Sequence, residues 1–261
     1  MERYPMNKLK TYALMLVLAS GSALAAERGR TPLSRSPLVV GAVSHLLLPT
    51  SASTPGKFGA FFKTKVSIFN ATTYSYTIRA GLSQSGGEVA TADIRMAAGQ
   101  TRTYEDFLFD VFGASGAGAV DLDSQDSRFL FIVNAAVYTD SSNGRYTTSV
   151  QFGDEAANII PSRPGFVVGV SVDEFSRLNV GCASNTSATQ TITVQAFDAN
   201  YVAVGQPFSF QMAPFGWNQY AVNVSLFNGG VRIDTTGNAV CFGVEVDNVS
   251  NDGTYQLAVP F

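Results

Sequence analysis

The chain contains one histidine, His45, which precedes the apolar run Leu46-Leu47-Leu48. A Ser-His-Asp triad, or a zinc site built on histidines, would have to use this residue. The sequence carries no nucleophile-elbow pattern, no H-E-x-x-H pattern and no glycine-rich phosphate loop to accompany it. We therefore expect His45 to lie at the surface or at a strand edge, and the sequence predicts no catalytic residue and no cofactor.

Three carboxylates, Asp121, Asp123 and Asp126, lie close together in the segment DLDSQD, which follows an apolar strand pattern. Clustered carboxylate oxygens can bind calcium in an extracellular module. This segment lacks the twelve-residue calcium loop with its terminal glutamate, and the corresponding residues 234–237 carry one carboxylate. The three aspartates are thus weak calcium candidates; a solvated turn is favoured, and no metal is predicted.

A third candidate site is aromatic, in the segment Phe215-Gly216-Trp217. Its counterpart in the first half of the chain, residues 99–101, has no aromatic residue. Because a scaffold role would be expected in both copies, the difference indicates a local contact made by Phe215 and Trp217. That contact is with a sugar ring, with a partner, or with the other half of the chain, and the sequence leaves all three open.

The elements that position these residues occur twice, because the second half of the chain repeats the first. Residues 96–104 align with residues 212–220 at a spacing of 116, and residues 143–146 align with residues 252–255 at a spacing of 109. Loop insertions and deletions account for the drift in spacing. The repeat predicts two copies of one β-rich module.

Alternation of apolar and polar residues indicates strands, as in Thr191–Phe197, where every second side chain is apolar. Only 14% of the residues are charged, 24 are glycine, and the mature chain shows no long apolar period near 3.6 residues. Residues 107–112 are the expected place for an isolated helical turn. We predict an all-β fold of two tandem antiparallel β-sandwich modules of immunoglobulin-like type, each closed by a hairpin at Asn143-Gly144 or Asp252-Gly253.

Cys182 and Cys241 are the only cysteines, and each lies in a predicted strand of the second module. Aligning the modules places Cys182 opposite Ile68 and Cys241 opposite Ile132, which we interpret as inward-facing positions. Two cysteines that replace two core isoleucines predict a disulfide between the sheets, since an exported protein meets an oxidising environment. Two buried free thiols are the alternative, and the lack of a C-x-x-C spacing disfavours a redox or metal role.

The beginning of the chain has the pattern of an export signal, with Lys8 and Lys10 before an apolar stretch and the cleavage pattern Ala23-Leu24-Ala25. A membrane anchor is the competing interpretation, but the apolar stretch is shorter than the roughly 20 residues that a spanning helix needs. We expect an exported protein in the periplasm, at the cell surface or outside the cell, with no membrane span after signal removal. The predicted organisation is a signal peptide (1–25), a flexible lead-in (26–37), module one (38–152), a linker (153–164) and module two (165–261).

Cleavage after residue 25 would remove three basic residues and one acidic residue, which takes the formal net charge from −3 to −5. An acidic surface does not favour nucleic acid or an anionic membrane as a partner. The expected partner is a protein or a polysaccharide at the cell surface.

Turn and hairpin motifs carry a resemblance to a family. The motifs in the second module are residues 177–185, 213–216, 230–233 and 246–255. In the first module, residues 63–70 match the first of these motifs and the hairpin at Tyr146 matches the last. Tyr138-Thr139 stand where the second module has Asp247-Asn248. The chain resembles exported bacterial tandem β-sandwich (immunoglobulin-like) repeat proteins, a resemblance that implies fold and compartment but no reaction.

The leading functional hypothesis is an exported, non-catalytic structural or surface-interaction protein. A carbohydrate-binding module that uses Phe215 and Trp217 is the alternative. A secreted hydrolase ranks third. Two carboxylates could act together in glycoside hydrolysis, but their separation is a three-dimensional property that the sequence does not give.

Overall fold

The computed structural model describes residues 42–87, 89–141 and 144–261. The predicted signal peptide, the cleavage site and the lead-in lie outside the described residues, as does Asn143. From residue 42 onward, the described residues belong to one compact unit.

The described residues form eighteen β-strands, one short helix and two single turns of 3-10 helix (Lys57–Gly59 and Glu155–Ala157). The helix, α1 (Phe107–Phe112), lies where the sequence predicts it. The first half contains β1 (His45–Pro55), β2 (Phe61–Asn70), β3 (Tyr76–Ser83), β4 (Val89–Met96), β5 (Thr101–Tyr104), β6 (Gly116–Asp123), β7 (Phe131–Ser141) and β8 (Gly144–Ser149). The second half contains β9 (Asn158–Ile159), β10 (Gly165–Val172), β11 (Ser176–Ser184), β12 (Gln190–Phe197), β13 (Ala203–Met212), β14 (Trp217–Ala221), β15 (Leu226–Thr235), β16 (Ala239–Asp247), β17 (Gly253–Leu257) and β18 (Val259–Pro260).

These strands assemble into three antiparallel sheets. The first-half sheet has eight strands in the order β4-β3-β6-β1-β2-β7-β8, and β5 pairs with β2. The outer sheet has the order β13-β12-β15-β10-β18, and the middle sheet has the order β14-β11-β16-β17, with β9 paired to β16. The predicted all-β, antiparallel sandwich class is confirmed, and the immunoglobulin-like type stays a prediction.

Six strand pairings occur in both halves. β1–β6, β2–β5, β2–β7, β3–β4, β3–β6 and β7–β8 correspond to β10–β15, β11–β14, β11–β16, β12–β13, β12–β15 and β16–β17. The halves differ at β1, which pairs with both β6 and β2 and shifts register between Leu48 and Ser51. Because β1 pairs with both of these strands, it joins the eight strands of the first half into a single sheet.

Alternating burial divides the side chains of the second half between two apolar cores. Residues of β12 alternate between buried and half-buried, so Ile192 and Val194 lie in the core between the outer and middle sheets. The opposite face of the middle sheet contributes Trp217, Phe242 and Tyr255 to the core of the first half. The middle sheet is therefore covered by apolar contacts on both faces.

The segment predicted as a linker takes part in this packing. Ile159 in β9 is fully buried in the core between the outer and middle sheets, which we call the second core. Strand β9 pairs with β16 at Ala239. Gly153 forms an isolated bridge to Leu47 of β1. Residues 153–160 thus connect the halves through backbone hydrogen bonds as well as through the chain.

The predicted two-residue turn at Asp252-Gly253 is wrong, although β16 and β17 do form the closing hairpin. The loop runs over residues 248–252, and the positive φ of 60° belongs to Asn251. The Asp247 carboxylate explains the wider loop because its Oδ1 accepts hydrogen bonds from the backbone N–H groups of Val249 and Ser250.

Candidate functional site

Cys182 and Cys241 form a disulfide bond, as predicted, but the predicted position between the sheets is wrong. The two residues are direct neighbours in the middle sheet, on β11 and β16, with their Cα atoms 4.0 Å apart. Both are fully buried in the second core. The bond therefore links adjacent strands of one sheet and does not cross the sandwich.

The position in β7 that corresponds to Cys241 is Val133, one residue after Ile132. Ile68 of β2 pairs with Val133 of β7 in the way that Cys182 pairs with Cys241. Ile68 is buried, whereas Ile132 is 38% exposed and does not face inward. Since side chains alternate faces along a strand, a shift of one residue moves the aligned position from the core to the surface.

Trp217 lies at the junction of the halves. It is 7% exposed, its indole N–H donates to the Pro49 carbonyl at 2.9 Å, and its backbone N–H donates to the Gln84 carbonyl at 3.2 Å. Phe215 is 48% exposed in the preceding turn, with a φ of 52°. Of the three contacts left open by the sequence, the described structure contains the one between Trp217 and the other half.

Trp217 begins an aromatic row across the middle sheet. Its ring centroid lies 6.5 Å from that of Phe242, and the Phe242 centroid lies 5.3 Å from that of Tyr255. Gly181 on β11 makes room for this row, because a Cβ at that position would lie 2.2 Å from Cζ of Phe242. Burial raises the pKa of the Tyr255 hydroxyl, so this residue stays neutral.

A cavity of about 300 Å³ adjoins this row, between the middle sheet and the first-half sheet. Its lining is mainly apolar and includes Trp217, Val244 and Tyr255 from one side and Phe62 and Val137 from the other. The polar residues Thr139, Arg177, Asn179, Gln219 and Asn251 also line it. An apolar cavity with a few polar groups has the character of a small-molecule site.

A second candidate site is an aromatic cluster at the surface of the outer sheet, which we call the outer aromatic face: the half-buried Phe166 and Phe197 and the exposed Tyr201 and Phe261. The rings of Phe197 and Tyr201 stack with centroids 4.3 Å apart, and Phe166 contacts both Tyr201 and Phe261. Tyr201 is 59% exposed and Phe261 is 90% exposed. Exposed aromatic clusters of this kind commonly mark contact surfaces.

Hydrogen bonds fix the backbone of the turn that carries Tyr201. The Asp198 carboxylate accepts hydrogen bonds from the backbone N–H groups of Asn200 and Val202. Tyr201 has a φ of 61°, a conformation that costs a residue with a side chain roughly 1–2 kcal/mol. Strain of this kind persists where the surroundings fix it and is frequent at binding sites.

Charged groups border the outer aromatic face. Arg232 donates to Asp234 Oδ1 at 2.7 Å, and this hydrogen bond raises the pKa of its guanidinium. Sequence reasoning missed this site, although the sequence carries one signal for it. Residues 198–201 (DANY) form a turn pattern with an aromatic residue at its end, and Phe197 precedes it.

The aspartates proposed as weak calcium ligands make separate contacts. Asp121 Oδ1 lies 2.7 Å from His45 Nε2, and Asp123 accepts a hydrogen bond from the backbone of Gln125. The Arg128 guanidinium lowers the pKa of Asp126 to about 2. Within residues 42–261, as far as they are described, no three His, Cys, Asp or Glu side chains are arranged to hold a metal ion.

His45 is exposed at the first residue of β1, and its neighbour Asp121 is half-buried. In the described part of the chain, no helix is long and apolar enough to cross a membrane. Comparisons with protein-family models and with curated proteins find no match.

Proposed function

We propose that this chain is an exported, non-catalytic surface-interaction protein that contacts its partner through the outer aromatic face. The observation that carries the proposal is the stacked pair Phe197 and Tyr201, in which Phe197 is half-buried and the Tyr201 ring stays 59% exposed although it could bury apolar area in a core. The strained turn at Tyr201 supports the same proposal because its fixed backbone and the stack on Phe197 place the ring before any partner binds.

The remaining features of the molecule fit this role. The six recurring strand pairings support two tandem modules of immunoglobulin-like type as the scaffold. The disulfide supports export, since such bonds persist in oxidising compartments. Asp121, Asp123 and Asp126 are engaged in individual hydrogen bonds and ion pairs, which supports a binding role over a catalytic one.

A carbohydrate-binding module is the second candidate, and the charged border of the aromatic face favours it. The side chains of Arg232 and Asp234 form an ion pair and are each 40% exposed, and Arg232 is near enough to Tyr201 to interact with it electrostatically. Sugar recognition needs both an aromatic ring that covers the apolar face of the sugar and polar groups for its hydroxyls. Trp217, the aromatic residue favoured from the sequence for this role, is buried at the junction.

The test compares the purified chain with its Phe197→Ala/Tyr201→Ala variant for binding to envelopes from cells that lack the chain. We expect the variant to lose most of the bound fraction. The matched control is Tyr74→Ala, which removes a similarly exposed tyrosine (67%) from the first half and should bind normally. Equal binding by all three proteins would contradict the proposal.

Retention on insoluble polysaccharide distinguishes the two candidates. Retention that is lost in the Phe197→Ala/Tyr201→Ala variant identifies a carbohydrate-binding module, whereas envelope binding without retention indicates a protein partner. Hydrolysis of members of a broad substrate panel by the purified chain would overturn the non-catalytic assignment.

A further inference from the structure

The cavity at the junction of the halves lies apart from the outer aromatic face and contains polar groups that the fold does not use. The hydroxyl of Thr139 is buried and has no hydrogen-bond partner among the described residues, and Thr139 lines the cavity. Thr139 as a whole is 2% exposed. A buried polar group without a partner is costly, and such groups persist where a ligand or water completes them.

Arg177 supplies a positive charge at the same cavity. Its Nη1 and Nη2 donate to the side-chain carbonyls of Asn248 and Asn251 at 2.8 and 3.0 Å. These bonds use two of the five N–H donors of a guanidinium. In the described part of the chain, Arg177 has no carboxylate within ion-pairing distance. The Asp247 carboxylate, which is near enough to act on Arg177 electrostatically, is hydrogen-bonded to the loop backbone.

Strand register brings Thr139 and Arg177 to the same end of the cavity. Thr139 is level with Phe62 and Tyr146 across the first-half sheet, in the row close to the tip of the β1–β2 hairpin. At that tip, the Phe58 ring lies 6.0 Å from the Arg177 guanidinium. The polar groups therefore collect at this end, while the aromatic row of Trp217, Phe242 and Tyr255 lies farther along the middle sheet.

We propose that this cavity binds a small amphipathic carboxylate, with its carboxylate at Arg177 and Thr139 and its apolar body beside Trp217 and Tyr255. One guanidinium balances one negative charge, which favours a carboxylate over a doubly charged phosphate. The Thr139 hydroxyl and the Asn179 amide, which makes no side-chain hydrogen bond to described residues, supply further donors.

The size of the cavity limits the apolar body. About 300 Å³ corresponds to roughly ten water molecules. A chain of medium length or a single aromatic ring system is of this size, whereas a phospholipid with two long chains is too large. The apolar lining makes water alone a poor occupant, because most of the wall offers it no hydrogen bond.

Trp217 provides the readout, because it is the only tryptophan and it lines the cavity. The probes are decanoate and 1-decanol at neutral pH and below their aggregation limits, since they share one apolar body and differ in charge. We expect decanoate to produce a saturable change in Trp217 emission, with a dissociation constant at least about tenfold lower than that of decanol. Calorimetric titration of the same pair checks the fluorescence.

Variants then locate the carboxylate. Arg177→Gln should reduce decanoate affinity to that of decanol, Arg177→Lys should keep a preference for decanoate, and Thr139→Val should weaken decanoate binding. The matched control is Arg128→Gln, which removes an exposed arginine outside the cavity and should leave binding unchanged.

Three results would overturn the proposal: no saturable binding of decanoate, equal affinity for decanoate and decanol, or an undiminished preference in Arg177→Gln. Should Arg177→Gln fail to fold, the comparison of the two probes on the wild-type chain and on Arg177→Lys still decides the question. Binding at this cavity is independent of the outer aromatic face, so Phe197→Ala/Tyr201→Ala should retain it.

Discussion

At the scale of single residues, the disulfide is the strongest local constraint on the second half. It closes a loop of 59 residues and lies in the second core. In the chain-entropy description, closing a loop of this length stabilises the folded state by about 4 kcal/mol. The bond contributes no contact to the outer aromatic face or to the cavity, so its role is stability.

We predict that reduction lowers the free energy of unfolding of the second half by about 4 kcal/mol. The measurement is guanidinium unfolding followed by Trp217 emission, with and without reductant. A Cys182→Ala/Cys241→Ala variant should not respond to reductant, which separates bond cleavage from other effects of the reagent. Two free thiols titrated in the denatured, unreduced chain would contradict the prediction.

Tyr76 makes stability depend on pH in the alkaline range. Its hydroxyl donates to the Leu130 carbonyl at 2.8 Å, and burial raises its pKa from 10 to about 12. The unfolded chain releases this proton near pH 10, whereas the folded chain keeps it up to about pH 12. The contribution of Tyr76 is therefore fully present below pH 10 and is lost as the pH rises from about 10 to 12.

We expect Tyr76→Phe to unfold with a weaker dependence on pH between about 10 and 12 than the wild-type chain. Unfolding free energies measured across that interval give the slope. Tyr74→Phe, which removes the hydroxyl of an exposed tyrosine nearby, should keep the wild-type slope. A slope that is the same in Tyr76→Phe and in Tyr74→Phe would show that the buried hydroxyl has no such role.

At the scale of elements, the sequence predicted strands well where apolar and polar residues alternate and poorly where buried residues are polar. Strand β1 extends to Pro55 through residues 50–53 (TSAS), which have the composition of a loop. These residues are buried because their polar groups are satisfied: Ser51 Oγ donates to the Gly118 carbonyl, and Thr64 Oγ1 accepts from the Ala52 N–H. Those partners are distant in sequence, so no local pattern reveals them.

The candidate sites were harder to predict than the strands for a related reason. The cavity forms where strands from both halves face each other, and the position of Arg177 in it depends on pairing between β11 and β16. Phe215 and Trp217 were singled out because the aligned residues 99–101 have no aromatic side chain, and a role of the two residues in binding stays a prediction. Only the packing of the halves decides that Trp217 is buried.

The aromatic row across the middle sheet depends on Gly181. We predict that Gly181→Ala destabilises the chain by about 1–3 kcal/mol, because the new Cβ would displace the Phe242 ring. Chemical unfolding gives the change, and Trp217 emission should shift since Phe242 stacks on Trp217.

Gly253→Ala is the matched control for this prediction. It lies in β17 of the same sheet, and its new Cβ would have no neighbour closer than 3.6 Å. We expect this variant to be about as stable as the wild-type chain. Equal destabilisation of the two variants would mean that the glycine at 181 is not required by the ring above it.

At the scale of the whole molecule, the core of the first half also contains side chains of the middle sheet, so the two halves share this core. Each half keeps its own strand pairings. The six recurring pairings lie within a half, so neither half needs the other to complete a sheet. The contact between them covers Trp217, Phe242 and Tyr255 on the middle sheet. Separation of the halves would therefore expose aromatic residues without removing a strand.

This arrangement predicts how the halves behave when they are expressed separately as residues 42–152 and 153–261, a division that keeps β9 with the sheet it pairs with. Each should give dispersed amide signals in NMR spectra, because each retains its own pairings. Trp217 emission should lie at longer wavelength in the isolated second half than in the full chain, since the contact with Pro49 is absent, and mixing the halves should reverse this shift. Two disordered halves that become ordered only on mixing would show instead that the shared core is required for folding and that the pair is one interlocked domain.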